Sequence, residues 1–332
     1  MADPAKPGEP APENLANLIS ESFSKISEIA SSKHPSTDAP APKKAAPRLV
    51  REIGPGLSSP LKRPLSLAWR ADKVLLVLDC PTPTKFRVQA FTAAGEPSGA
   101  PCEFAKGSTD GELMEPVSLI VDGDNQMFIV DAQDACVKKF GPDGQWLDTY
   151  RSAGPVGSMF DYPLDAAVDE SGNLLIADTN NNRIVQLQSD GELGWILENF
   201  PDSAGSSEPD EFFEPCSLCV GRGGILRVAD RAENRVLGFD VKRKLVGLWS
   251  DLSHPSLVRV GADGTSILVA ERNRIVRMGP SGAVTGTIEF PFDLPGDAKA
   301  TGGGALCADG AGHVMVIDPV RESILVLAFE EK

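Results

Sequence analysis

The sequence predicts an all-β protein made of six repeats, each the length of a four-stranded blade, behind an N-terminal tail with no stable fold of its own. Three observations carry this. From Pro60 onward, short runs rich in Val, Ile, Leu and Phe alternate with Gly, Asp, Asn and Pro, the pattern of many short strands joined by tight turns. An acid closes the second run of every unit, as Asp79, Asp131, Asp178, Asp230, Glu271 and Asp318, at spacings of 52, 47, 52, 41 and 47 residues, which is the period of a propeller blade. The first 47 residues are rich in Pro, Ala, Ser and Lys and carry too little apolar surface to bury a core.

Taking the chain in order, residues 1–47 form the predicted disordered tail. One stretch within it differs. In ENLANLISESFSKISEIASSK, Glu13 to Lys33, the residues Leu15, Leu18, Ile19, Phe23, Ile26 and Ile29 fall on one helical face. Pro12 suits a first helical turn and Pro35 ends a helix. This segment, 13–33, reads either as a fraying helix on a solvated tail or as a docking helix for a partner groove. Its polar face is not basic enough for a membrane-surface helix.

The stretch RLVREIGPGLSSPLKRP, Arg48 to Pro64, has the form of the end of a unit: a strand, a Gly-bearing loop, then Pro. EFAKGSTDGELMEP, Glu103 to Pro116, has the same shape. The sixth unit stops at LAFEEK and has no fourth strand. An N-terminal strand completing that last unit would close a ring and leave no open edges. Leu49 or Val50 is then expected to pack near Leu325 and Leu327.

Within units the register repeats. Pro64, Pro116, Pro163 and Pro215 stand fifteen residues before the closing acid, with Pro255 offset by one in the fifth unit. A Gly- or Asp-bearing turn, such as DESGN or ADGAGH, separates the first two runs. After the acid come a polar loop and a second apolar run: NRIVQL, NRVLGF, NRIVRM and ESILVL. A further turn, such as SDGEL or PDGQW, leads to the last strand.

These motifs resemble the NHL repeat. The third unit, YPLDAAVDESGNLLIADTNNNRIVQL, carries nearly all of the family pattern, and the fourth, EPCSLCVGRGGILRVADRAENRVLGF, carries most of it. The second has Cys136-Val137 where the third has Arg183-Ile184, and the fifth has a shortened loop. The resemblance covers residues 48 to 329. It implies a six-bladed β-propeller over 48–332, in which Asp178 and Arg183 stabilise the blade edge and are not catalytic. Asn180 to Asn182 would form the exposed loop after the second strand, because Asn tolerates left-handed backbone angles.

In such a propeller the loops after each second strand share one face with the loops entering each blade. The expected partner-binding face comprises Gln133, Asp134, Asn180, Asn181, Asn182, Arg231, Glu233, Asn234, Arg272 and Asn273. Met159, Phe160, Asp161 and Tyr162 add to it from one entering loop, and Phe212 and Phe213 from another. One of the two phenylalanines is expected to plug the core and the other to be an exposed anchor. Arg259 stands at an inner-strand slot that holds Ala, Ile or Cys elsewhere. It is read as an ion pair with a neighbouring blade, such as with Asp165, or as a polar group lining the central channel.

Chemistry is hard to place on this sequence. Cys216 and Cys219 form a CxxC, but the repeat register puts both at inner apolar slots, so they are expected to be buried hydrophobes with no metal. Three histidines, His34, His254 and His313, are too few for the metal-dependent lyases that resemble NHL propellers. Six-bladed lactonases use acids and Asn around a divalent cation, so that alternative stays open at low weight. No catalytic residue, metal site or cofactor is expected. Net charge is −15, and residues 1–48 carry six acids and six bases, so all the excess lies on the propeller. An acidic domain with two tyrosines makes an RNA-binding NHL module the weaker alternative. The expectation is a cytoplasmic, non-enzymatic propeller that binds a protein partner, with no nucleic acid and no membrane. The N-terminus lacks an apolar signal core, and six cysteines in a chain of this length do not form a disulfide scaffold.

Overall fold

In a computed structural model the protein is described over residues 48–54, 56–152, 154, 159–201, 209–250, 252–290, 294 and 305–329. Six antiparallel four-stranded sheets make six blades. Blade 1 runs Pro64–Trp69, Val74–Thr82, Lys85–Thr92 and Cys102–Ala105; blade 2 runs Pro116–Val121, Met127–Asp131, Cys136–Phe140 and Trp146–Tyr150. Blade 3 is Asp165–Val168, Leu174–Asp178, Arg183–Leu187 and Leu193–Leu197, and blade 4 is Pro215–Val220, Leu226–Asp230, Arg235–Phe239 and Leu245–Trp249. Blade 5 is Leu257–Val260, Ile267–Glu271, Arg274–Met278 and Val284–Glu289. Blade 6 takes Leu306–Ala308, His313–Asp318 and Ser323–Ala328 from the C-terminal end, and its outer strand is β1, Arg48–Ile53. The segment 13–33 lies outside the described residues.

The burial pattern explains the ring. The second strand of blade 3, LLIAD, is buried at all five positions, because both of its faces meet neighbouring blades. The outer strand of blade 2, WLDTY, is exposed at three positions and half-buried at two. A single blade cannot cover its inner strands, and only stacking into a ring does so. Core clusters therefore run across blade boundaries, as where Val130, Ile176, Ala229 and Val269, from four successive blades, share one cluster.

The closing strand behaves as expected, and of the two residues named for it Val50 is the one that packs inward. The strand pairs antiparallel with Ser323–Ala328, in the register Leu49↔Leu327, Glu52↔Leu325 and Ile53↔Ile324. Leu49, however, is 52% exposed, while Ile53 is 4% exposed and Val50 packs half-buried on the same cluster. A bulge between Leu49 and Arg51 shifts the pleat, so that the inward positions are Val50 and Ile53.

One element was not foreseen. The long loop entering blade 4 carries a small hairpin, Asn199–Pro201 paired with Pro209–Glu211. It clamps Phe200 and Phe212 onto Phe239, with ring centroids 5.0, 5.2 and 5.8 Å apart.

Candidate interaction face

The acids that close the second strands hold the entering loops. Asp178 accepts the backbone N–H of Asp161 at 2.8 Å, Asp79 that of Lys62 at 2.9 Å, Asp230 that of Phe213 at 2.9 Å and Glu271 that of Ser253 at 2.8 Å. Asp131 accepts from Met114 and Glu115. Four of these acids also meet an arginine on the next strand: Asp178 with Arg183 at 2.7 Å, Asp79 with Arg87 at 2.7 Å, Asp230 with Arg235 at 2.9 Å, and Glu271 with Arg274. Burial pushes the Asp131 and Asp178 carboxyls up, and Asp230 up to about 6 in spite of Arg235. Their acceptor capacity is spent on the scaffold, which fits the structural role that the resemblance implied for Asp178 and Arg183.

A second set of contacts joins one blade to the next. The residue before the third strand adopts a left-handed conformation at Asn182 (φ 51°), Asn234 (φ 53°) and Glu322 (φ 53°). Each turns its side chain toward the following blade. Asn182 Oδ1 accepts the N–H of Glu214 at 3.2 Å, Asn234 Oδ1 that of His254 at 2.8 Å, and Glu322 Oε1 that of Arg63 at 3.1 Å. Each donating residue precedes a proline, Pro215, Pro255 or Pro64, which has no N–H of its own to offer. Blade 2 has Ala135 in this slot. Its seam with blade 3 is bridged instead by the Tyr162 hydroxyl, which donates to Glu115 at 3.3 Å.

These contacts sort the residues nominated from sequence. Gln133, Asn180, Asn181, Asn182, Glu233, Arg272 and Asn273 are exposed on the loop face. Several have internal duties all the same. Asn180 donates to Asp161, and Asn181 donates to the Met159 carbonyl and to Asp178. Asp134 is half-buried between Lys138 and Arg151, at 2.8 and 3.1 Å. Arg231 lies against Glu214, and Asn234 and Tyr162 are half-buried at blade seams. Phe212 is fully buried and cannot meet a partner, whereas Phe213 is 43% exposed. Met159, in the entering loop 159–162 that the sequence places on this face, is 58% exposed.

Arg259 resolves as an ion pair. Its guanidinium donates to Asp165 at 2.8 Å and to Ser217 at 3.0 Å. Asp165 also accepts from Ser118 Oγ and Ser217 Oγ, both at 2.7 Å, and from the Leu218 N–H at 3.1 Å. One carboxylate from blade 3 thus ties together blades 2, 3, 4 and 5. A second inner arginine, Arg227, was missed; it is 7% exposed, donates to the Thr265 carbonyl at 3.1 Å, and leaves Nε and Nη1 without a partner. Cys216 and Cys219 are buried in the core, with burial pushing their thiols up to about 12 and about 11. Among the described residues, no group of three or more His, Cys, Asp and Glu is arranged to hold a metal ion.

Comparison with known proteins agrees with this architecture. The NHL repeat family model matches residues 160–187, the third repeat read from the sequence. The human NHL repeat-containing protein 3 is 28% identical over 149 residues, which is 41% of this chain and 42% of that protein. The match therefore spans about two fifths of the relative's length. Among solved structures, a gluconolactonase from Xanthomonas campestris aligns with a TM-score of 0.59 at 14% identity, over 90% of this chain and 99% of that one. A catalytically inactive virginiamycin B lyase from Staphylococcus aureus aligns at 0.55 and 14% identity, over 84% and 98%. A chain of a nidogen/laminin complex aligns at 0.52 and 20% identity, over 69% and 81%. At such identities these similarities concern the fold. The chain is a six-bladed β-propeller with a closing N-terminal strand, and its residues 160–187 match the NHL repeat.

Proposed function

We propose that this propeller is a non-enzymatic interaction module that binds a protein partner on its loop face. One observation carries the reading. Two large apolar side chains, Met159 and Phe213, stand exposed on either side of the Asn180 to Asn182 loop. Asn181 holds the Met159 carbonyl and Asn182 holds the N–H of Glu214, next to Phe213. An exposed aromatic and a methionine, rimmed by polar groups that are already satisfied, have the composition of an interface centre. The closing acids are engaged with backbone N–H groups and arginines and so are not free to hold a cation. The net charge of −15 opposes RNA as the partner. All six cysteines are free, which suits a reducing compartment such as the cytosol.

The test compares the wild-type chain with Met159→Asp/Phe213→Asp as baits in affinity capture. The double variant should lose the partner that wild type retains, while its melting temperature stays within about 2 °C, because exposed substitutions away from caps and core cost little. Undiminished capture would move the site elsewhere. Turnover of a lactone panel in the presence of divalent cations would overturn the non-enzymatic reading.

A further inference from the structure

Opposite the loop face, a groove crosses four consecutive blades. Its larger part is a cleft of about 770 Å³ between the turns that join first and second strands in blades 6, 1 and 2, with Trp69, Arg51 and Lys73 in its walls. A second hollow of about 510 Å³ continues it toward blade 5, lined by Arg48, Arg277 and Phe329, and shares Ala311 and His313 with the first. Trp69 and Phe329 pack half-buried on the core, so each keeps apolar surface open to the groove. Charge sets the groove apart. Five basic side chains line it against two acidic ones, on a domain that carries all of the chain's excess negative charge. The two carboxylates are occupied locally. Asp122 accepts the N–H groups of Asp124 and Gln126. Asp309 accepts those of Ala311 and His313 and meets His313 Nδ1 at 2.7 Å. Arg70 is paired with Asp72. Among the described residues, Arg48, Arg51, Lys73 and Arg277 have no carboxylate partner. Arg51 donates to the Ala93 carbonyl, and Arg277 donates to Thr285 Oγ1 at 3.1 Å and lies 4.5 Å from the centre of the Phe329 ring.

The unpaired cations are spread along the groove, Arg48 and Arg277 in one hollow and Arg51 and Lys73 in the other, each pair beside an aromatic ring. That spacing suits an extended chain with several anionic side chains better than one compact anion. The negative charge of the surrounding domain opposes a long polyanion laid across this face, as a nucleic acid or an anionic membrane would be. A short segment seated in the groove meets the cations without approaching the rest of the surface. We infer that the groove binds an extended acidic segment of a partner protein. Its carboxylates pair with Arg48 and Arg277 at one end and with Arg51 and Lys73 at the other, and its apolar side chains lie on Phe329 and Trp69. Arginine holds a carboxylate through two parallel hydrogen bonds, and complementary charge along a groove steers encounter and fixes register. The groove and the exposed Met159 and Phe213 are on opposite faces, so both can be occupied at once, and the inference stands whether or not the loop face binds.

Fluorescence anisotropy on the full-length chain tests this, with a short fluorescein-labelled peptide of Glu and Asp carrying two interspersed Phe residues as the probe. Arg48→Glu/Lys73→Glu reverses one exposed side chain in each hollow and should melt within about 2 °C of wild type. Wild type should bind the peptide, and the variant should bind it about tenfold more weakly or worse. Raising the salt from about 50 to about 300 mM should weaken the wild-type complex several-fold. Met159→Asp/Phe213→Asp should bind the peptide as wild type does, which separates a failure of this inference from a failure of the loop-face reading. No binding by wild type up to about 1 mM peptide, or equal affinity in wild type and Arg48→Glu/Lys73→Glu, would overturn the inference. So would tighter binding of an RNA oligonucleotide or of anionic vesicles that the same variant abolishes, because the groove would then be a phosphate-binding surface.

Discussion

Removing residues 1–54 tests whether the ring is closed by the strand Arg48–Ile53. The deletion takes away Ile53, which is 4% exposed, and the half-buried Val50. It also strips the cover from Ile324, Leu325 and Leu327, at 0, 9 and 4% exposure, and breaks the five registered positions that pair the strand with Ser323–Ala328. The contact from Ser323 Oγ to Glu52, at 2.6 Å, goes as well. At about 1.5–3 kcal/mol for a fully buried aliphatic side chain, Ile53 contributes about 2 kcal/mol and Val50 about 1. The newly exposed neighbours bring the loss to about 3–6 kcal/mol. A domain of this size shifts by about 2–4 °C per kcal/mol, so the truncated chain should melt about 10 °C or more below wild type and aggregate through its open edge. A truncation of residues 1–40 keeps the strand. It should melt within about 2 °C of wild type, because every strand from Arg48 onward stays in place. Thermal melts followed by circular dichroism and light scattering read both. Equal melting of the two truncations would show that the closing strand is dispensable and that the reasoning about β1 is wrong. The single substitutions sharpen the point: Ile53→Ala should cost about 2–4 kcal/mol and Leu49→Ala less than about 0.5 kcal/mol.

Other outcomes follow from the same geometry. Arg259→Ala alone leaves the buried Asp165 carboxylate without its cation and should cost about 3 kcal/mol or more. Asp165→Ser/Arg259→Ala restores the residue types that other blades use at these slots, so a double-mutant cycle in urea should show the pair costing clearly less than the sum of the singles; strict additivity would sink the idea of a coupled pair. Cys216→Ala/Cys219→Val should cost about 1–3 kcal/mol in core reshaping and release no zinc in a chelator assay, whereas stoichiometric zinc in the wild type would contradict the core assignment. The Asp230 carboxyl, pushed up to about 6 by burial, compares with about 3.9 in an unfolded chain. Below pH 6 the folded protein takes up a proton that the unfolded chain still lacks, so the site's contribution to stability rises as pH falls from 6 toward 4. Relative to Asp230→Asn, wild type should gain about 1 kcal/mol between pH 7.5 and pH 5; a constant difference would refute the burial argument.

Much of this fold was legible because its determinants are local and repeat. The closing acid recurs in all six units, the proline fifteen residues before it in the first four, and the Asn-Arg pair in the third to fifth, so period and phase could be read directly. The closing strand was legible from what the sixth unit lacked. What stayed hidden depends on contacts across seams. Asn182 reads as an exposed loop residue until the N–H of Glu214, 32 positions away, is placed beside it. Phe212 and Phe213 are adjacent and chemically identical, and only the pairing of Asn199–Pro201 with Pro209–Glu211 decides which one turns inward. The bulge at Leu49 and Arg51 could not be foreseen from a pattern of alternation. Arg227 was detectable, since the register sets it against Leu175 and Leu268 at otherwise apolar slots, but a lone charge in one repeat is easily taken for a solvent-facing strand residue.

The side chains that reach from one blade to the backbone of the next have a consequence for how the loop face meets another molecule. Asn182, Asn234 and Glu322 pin the corners where blades join, and the closing acids pin the loops between those corners. A surface held at this many points enters a complex with little freedom left to lose, which lowers the entropy cost of association and leaves little room for adjustment. Under the proposed function, shape selection would fall to the partner: it would have to present a relief that already fits, and variants that loosen a pinned corner should weaken binding by softening the mould, even where they touch nothing on the bound molecule.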